Sequence, residues 1–215
     1  ACVYCQVPDL TRGSAPKIDL RVLAQELDGF LADICHGDFM QTRVPPEARR
    51  LNDIALSGNG EPTSAAEFGE VLTLIHSALI KYQLLGQIKV VLITNGSLIH
   101  KPAVRAGILQ LAQMNGEVWF KLDRATEGSI KQINQVNHKP DLAAQNLAWV
   151  AAHCPTWVQT CVFAYAGQLP SAVEQTAYLN ALSQLIQQQL PHLHGVLLYG
   201  LARPSLQPQA ALLSP

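Results

Sequence analysis

Charge is scarce in this chain of 215 residues: Asp, Glu, Lys and Arg make up 14% of it, and the net charge is −1 with histidine neutral. That balance offers no basic surface, which weakens a role on RNA or DNA without eliminating it. Long apolar runs are missing too. "VVLI" and "GVLLYGLA" fall far short of the ~20 residues that a membrane-spanning helix needs, and no secretory segment opens the chain. The expectation is a cytoplasmic protein without a membrane partner. A second Cys-x-x-Cys is also absent, so the pair Cys2 and Cys5 has no companion pair with which to complete a zinc site. The glycine-rich stretch "SGNGEPT" lacks the Lys-Ser/Thr of a phosphate-binding loop.

What is present is apolar and regular. Hydrophobic residues are 48% of the chain, enough to fill one core, and nothing divides residues 1–215 into two domains. Leu20, Leu23, Leu27, Phe30, Leu31 and Ile34 share one face at helical spacing. Asn52 to Ser57 reads as a buried strand, and Ser64 to Glu67 as a capping box that starts a helix reaching about Leu85. "QIKVVLIT", "EVWFKLD", "TWVQTCVFA" and "HGVLLYGLA" read as further strands. Between them fall helices over about Lys101 to Met114, Thr126 to Ile133 and Pro140 to His153, and one opened by a capping box at Ser171 and Glu174. Strands alternating with helices predict a parallel sheet buried on both faces, either open and doubly wound or a full or partial barrel. The first helix has no strand ahead of it and the chain lacks an initial methionine, so truncation is expected at the N-terminus. "RPSLQPQAALLSP" predicts a loop into an uncompleted helix at the other end.

Functional groups in such folds gather after the C-terminal ends of strands. That places Cys2, Tyr4 and Cys5 in one loop, Gly58, Asn59, Gly60 and Glu61 in the next, then Thr94 and Asn95, then Lys121 and Asp123, and finally Arg203. The glycines free the backbone to turn beside a ligand, and Glu61 suits a cationic amine. A strand-to-helix turn with a surface glutamate explains the same letters. Cys2 and Cys5 are spaced for zinc, iron, an iron-sulfur cluster or a redox disulfide. Cys35, Cys154 and Cys161 are expected in ordinary packing, and so are Trp119 and Phe120. His36 and His153 are expected to be solvated or capping. Arg203 suits an anionic substrate or a surface ion pair equally.

Taken together, these stretches resemble the radical S-adenosylmethionine superfamily over nearly the whole chain. Cys2-Val3-Tyr4-Cys5 is similar to the second half of that family's Cys-x-x-x-Cys-x-aromatic-Cys motif, with the first cysteine expected four residues before Cys2. "SGNGEPT" resembles its Gly-Gly-Glu-Pro motif with Asn59 interposed, and "LITNGSL" its third strand end. "FKLDRATEGSIKQIN" resembles a stretch of iron-sulfur oxidoreductases near the wyosine-forming branch.

The resemblance implies an α/β fold of the partial TIM-like (β/α)6 barrel type, its first strand upstream of Ala1. It implies a [4Fe-4S] cluster on Cys2, Cys5 and the upstream cysteine, with S-adenosylmethionine chelating the open iron. Backbone around Tyr4 would contact the adenine. Gly58, Asn59, Gly60 and Glu61 would hold the methionine amino group, and Thr94, Asn95, Lys121 and Asp123 its carboxylate and the ribose hydroxyls. Leu197 and Leu198 would flank the adenine. The implied reaction is reductive cleavage to a 5'-deoxyadenosyl radical that takes hydrogen from a substrate, with flavodoxin or ferredoxin as reductant. Two other readings stand beside it: a non-radical barrel enzyme using Glu61 or Asp123 in acid-base chemistry, and a zinc-binding module built on Cys2 and Cys5.

Overall fold

The apolar runs assemble into one parallel sheet because helices between successive runs carry the chain back to start the next strand in the same direction. The computed structural model describes residues 2–7, 13, 16–57, 60–201, 204–206 and 210–211. The helices are α1 (Leu20–His36), α2 (Phe39–Arg43), α3 (Phe68–Lys81), α4 (Pro102–Ala112), α5 (Glu127–Ser129), α6 (Pro140–His153) and α7 (Ala172–Gln187). The strands are β1 (Asp53–Leu56), β2 (Lys89–Thr94), β3 (Gly116–Lys121), β4 (Thr156–Cys161), β5 (Ala164–Tyr165), β6 (Leu193–Tyr199) and β7 (Ala210–Ala211). The main sheet has the order β1-β2-β3-β4-β6, parallel at every pairing, and β5 pairs antiparallel with β7 in a separate two-stranded piece.

Strand order without reversal is single winding, and the packing agrees. Val90, Leu92, Val118, Phe120 and Val158 point to one face, where they form a single core with Leu72 and Leu79 of α3, Ile108 and Leu111 of α4, Leu147 and Val150 of α6 and Leu185 of α7. Leu20, Leu23 and Leu27 of α1 pack against the same core. On the other face Ile93, Trp119, Lys121, Trp157, Gln159 and Leu197 are half-buried, whereas Val91, Glu117 and Cys161 are buried. A doubly wound sheet would carry helices there. The described strands form an open sheet with β1 and β6 as edges.

Several local expectations are corrected. Burial on both faces does not hold for β1, which is half-buried as an edge strand, or for β6, which alternates half-buried with exposed. Phe30 is exposed and meets Phe39 edge-on at 5.1 Å rather than joining the core. The Ser64–Glu67 capping box does not form. Pro62–Ser64 is instead a short 3₁₀ turn stabilised by Glu61, and α3 begins at Phe68. The helix expected over Thr126 to Ile133 becomes α5 followed by a π-helical turn, Ile130–Asn134, closed by Gln135 in the left-handed conformation at φ 56° and ψ 37°.

One glycine sets the turn after β2. Gly96 has φ +71°, and a Cβ there would lie 2.0 Å from the ring of the fully buried Phe120. Gly96→Ala combines overpacking with a left-handed backbone penalty and is expected to destabilise the protein by about 2–4 kcal/mol. A fall in the urea midpoint at unchanged m-value would register this, and a wild-type midpoint would contradict the packing described.

Candidate active site

The turn Cys2 to Cys5 turns its middle residues inward and leaves its cysteines half-buried. Val3 is fully buried and Tyr4 nearly so, packed with Ile133, Cys161, Phe163 and Ala210 in a second small core. The Cys5 amide donates to the Cys2 carbonyl at 3.0 Å, and the Val3 amide to the Ile133 carbonyl at 2.9 Å. The Ser205 hydroxyl donates to the Val3 carbonyl at 2.7 Å. The turn is thus held through the Val3 backbone, whose amide and carbonyl both have partners.

Its deepest anchor is Asp123, just beyond the end of β3 and 5% exposed. Oδ1 accepts from the Cys161 amide at 3.0 Å. Oδ2 accepts from the Tyr4 hydroxyl at 2.5 Å and from Asn134 Nδ2 at 2.8 Å. Burial, and then the negative charge of Asp123, push the Tyr4 hydroxyl well above the ordinary tyrosine range, so it remains a donor. Burial does the same to Tyr199, which accepts a hydrogen bond from Lys121 Nζ at 3.2 Å. The Lys121 ammonium also lies 4.9 Å from the centre of the Tyr4 ring, within cation-π range.

A second cluster ties the loop after β1 to the end of β2. Glu61 Oε1 accepts from the Thr94 hydroxyl at 2.6 Å, and from the Thr63 hydroxyl and amide at 2.6 and 3.2 Å. Oε2 accepts from the Asn95 amide at 2.7 Å. Asn95 Oδ1 in turn accepts from the Ser97 amide at 2.9 Å, which fixes the turn. Thus Glu61, Thr94 and Asn95 form one group, and Cys2, Tyr4, Lys121 and Asp123 another, both at the C-terminal ends of neighbouring strands. Gly60 is exposed with φ +139°, an arrangement suited to glycine. Gly58, Asn59 and Arg203 lie outside the described residues.

Leu197 and Leu198 cannot flank one ligand together. Leu197 pairs with Gln159 on the face without helices, whereas Leu198 points to the other face and is 66% exposed. Cys154 and Cys161 are buried, as expected for packing residues, and Cys35 is half-buried. His36 packs on Tyr82, and His153 stacks on Trp149 while bonding its carbonyl. Among the described residues no group of three His, Cys, Asp or Glu side chains converges as a metal site.

Three residues to which the sequence assigned no role at the site also shape this end of the sheet. Asn134 donates to Cys2 Sγ at 3.3 Å as well as to Asp123. Arg124 is 6% exposed, donates to the Asp123 carbonyl at 2.6 Å and lies 5.2 Å over the Phe163 ring. Glu174 was legible only as half of a capping box. Its amide does bond to Ser171, but its carboxylate reaches away to the Ala125 amide and the Thr126 hydroxyl, both at 2.5 Å.

No family model matches the chain, and no curated protein matches it. The parallel α/β architecture has solved counterparts. One of these is a structure of TYW1 with a lysine-pyruvate adduct bound, with a TM-score of 0.58 at 14% identity, covering 98% of this chain and 64% of that one. The chain therefore spans less than two thirds of that neighbour, and the likeness is one of fold.

Two predictions follow from these environments. Burial pushes the Cys154 thiol up to about 12 and Cys161 up to about 11. An alkylating reagent applied to the native metal-free protein at neutral pH is expected to label Cys2, Cys5 and Cys35 first. Mass mapping that finds Cys154 or Cys161 among the earliest sites would contradict the packing.

For Glu174, burial alone would raise the carboxyl, but the hydrogen bonds from Thr126, Ala125 and Ser129 outweigh it and lower the value. A depressed folded-state value stabilises above the ordinary glutamate range, and that contribution disappears as the pH falls through the lowered value. Glu174→Gln should cost about 1–3 kcal/mol at pH 7, with the gap to wild type closing in acid, read from denaturant midpoints at both pH values.

Proposed function

We propose that the chain carries the core of a radical S-adenosylmethionine enzyme, with Cys2 and Cys5 holding two irons of a [4Fe-4S] cluster. The observation that carries this is the cysteine turn itself: two half-buried cysteines joined by one backbone turn near the C-terminal end of a parallel strand, with an amide donor aimed at one sulfur. Soft thiolates with N–H···S contacts are the donor chemistry that iron-sulfur clusters take. The chain's own side chains fit that group as far as they go. The motif's remaining cysteine position, four residues before Cys2, precedes residue 1 of this sequence. The likeness to TYW1 is one of fold, and it accords with the partial TIM-like (β/α)6 barrel that this reading requires.

When bound, the cluster supplies the electron for reductive cleavage of the S-adenosylmethionine sulfonium. The residues of this chain position and enclose. Glu61 presents its carboxylate at the loop after β1, the region proposed with Gly58, Asn59 and Gly60 to receive the methionine ammonium. Thr94 and Asn95 hold that carboxylate in place through the bonds described above. Lys121, on the face without helices, offers a cation for an anionic group of the bound molecule, and the backbone at Tyr4 borders the adenine. Asp123 is committed to three protein donors and acts by seating the turn. Flavodoxin or ferredoxin would deliver the electron.

Acid-base catalysis by Glu61 or Asp123 is less well supported, because four protein donors occupy one carboxylate and three the other. Anaerobic reconstitution of the full-length protein with iron and sulfide, followed by assay for methionine and 5'-deoxyadenosine under strong reductant, tests the proposal. Wild type is expected to show cluster absorption and cleavage, and Cys2→Ala and Cys5→Ala to lose both. Glu61→Gln should lower kcat/KM for S-adenosylmethionine about 10- to 100-fold, the worth of one charge-assisted hydrogen bond. Activity that survives both cysteine replacements would favour the acid-base alternative, and a colourless protein retaining zinc would favour the metal module.

A further inference from the structure

We infer, on the basis of the cluster-binding reading above, that Asn134 is the positioning residue of the cysteine turn and sets the electron affinity of a cluster held there. The inference starts from an irregularity. The π-helical turn Ile130–Asn134 is a rare conformation that recurs at functional sites, and it ends abruptly at a left-handed Gln135. Helix ends leave carbonyls without intrahelical partners. The Ile133 carbonyl takes the Val3 amide at 2.9 Å, and the next side chain, Asn134, reaches Cys2 Sγ at 3.3 Å. Two consecutive residues of one turn therefore hold the cysteine loop by backbone and by side chain.

The direction of the Asn134 amide follows from its partners. Cys2 Sγ and Asp123 Oδ2 are both acceptors here, so the NH₂ end must face them, and its two hydrogens match the two contacts. Asp123 cannot swing away, since the Tyr4 hydroxyl and the Cys161 amide hold it from other sides. The N–H aimed at Cys2 is thus pre-organised. A hydrogen bond to a ligating sulfur stabilises the electron-rich reduced state and raises the potential of the group it holds. Asn134 does this without being a ligand.

Asn134→Ala and the similar-volume Asn134→Leu test the assignment, each first checked for folding by circular dichroism. In the reconstituted protein both are expected to assemble the cluster with its midpoint potential shifted downward and its electron paramagnetic resonance signal altered. In the metal-free protein, amide hydrogen exchange at Val3 and Cys5 should accelerate about tenfold, as for loss of the side-chain half of the anchor. Wild-type potential together with wild-type exchange would overturn the inference. Failure of the wild-type protein to assemble any cluster would instead remove the reading on which the potential depends. The exchange measurement would then decide the positioning role alone, and unchanged protection at Val3 and Cys5 would end it.

Discussion

The Asp123 carboxylate is the constraint on which the rest of the candidate site depends. Burying a carboxylate is costly unless donors replace its water, and three do so: a tyrosine hydroxyl, an asparagine amide and a backbone amide. Those donors come from the cysteine turn, the π-helical turn and the end of β4, so satisfying one buried charge brings three segments into register. Removing any donor would leave an acceptor short of partners in a small core. That core, in which Tyr4 meets Phe163 edge-on at 5.4 Å, has little other apolar surface to compensate.

Single winding determines where such a construction can exist. With α1, α3, α4, α6 and α7 on one face, the main core takes the large aliphatic side chains, and the opposite face carries the half-buried Trp119, Lys121, Trp157, Gln159 and Leu197. Strand ends follow one another along the sheet in chain order, so the Glu61 loop, the Thr94–Asn95 turn and the Asp123 anchor lie in sequence along one rim. Glu61 and Glu174 perform matching tasks on that rim: each carboxylate ties a loop to a neighbouring element through hydroxyl and amide donors. Among the described residues the rim is stiffened by acceptors that gather donors.

The period-2 and period-3.6 patterns disclosed most of the architecture, because apolar alternation and helical stripes report directly on burial. They placed β2, β3, β4, α4 and α6 within a few residues, and they located the strand-end loops where the polar groups gather. They could not separate edge strands from central ones, since β1 and β6 carry the same aliphatic letters as their neighbours. They misplaced the start of α3, because Glu61 uses Thr63 and Thr94 as partners, and a local motif cannot anticipate a long-range one. They missed Asn134 for a related reason. A π-helical turn breaks the 3.6-residue phase, so no periodicity assigns that side chain a face, and its partners are 11 and 132 positions away.

That separation has a consequence for the order in which the protein is made. The cysteine turn lies at residues 2–5, but its seat is supplied by Asp123, Ile133, Asn134, Cys161 and, last, Ser205, 202 positions beyond Val3. Local elements such as α1 and α3 can form while the chain is still growing, whereas contacts of such long range must wait for their distant halves. The two thiols therefore emerge from the ribosome before every one of the residues that seats them. They stand unsheltered in the nascent chain until the segments from Asp123 through Ser205 have followed them.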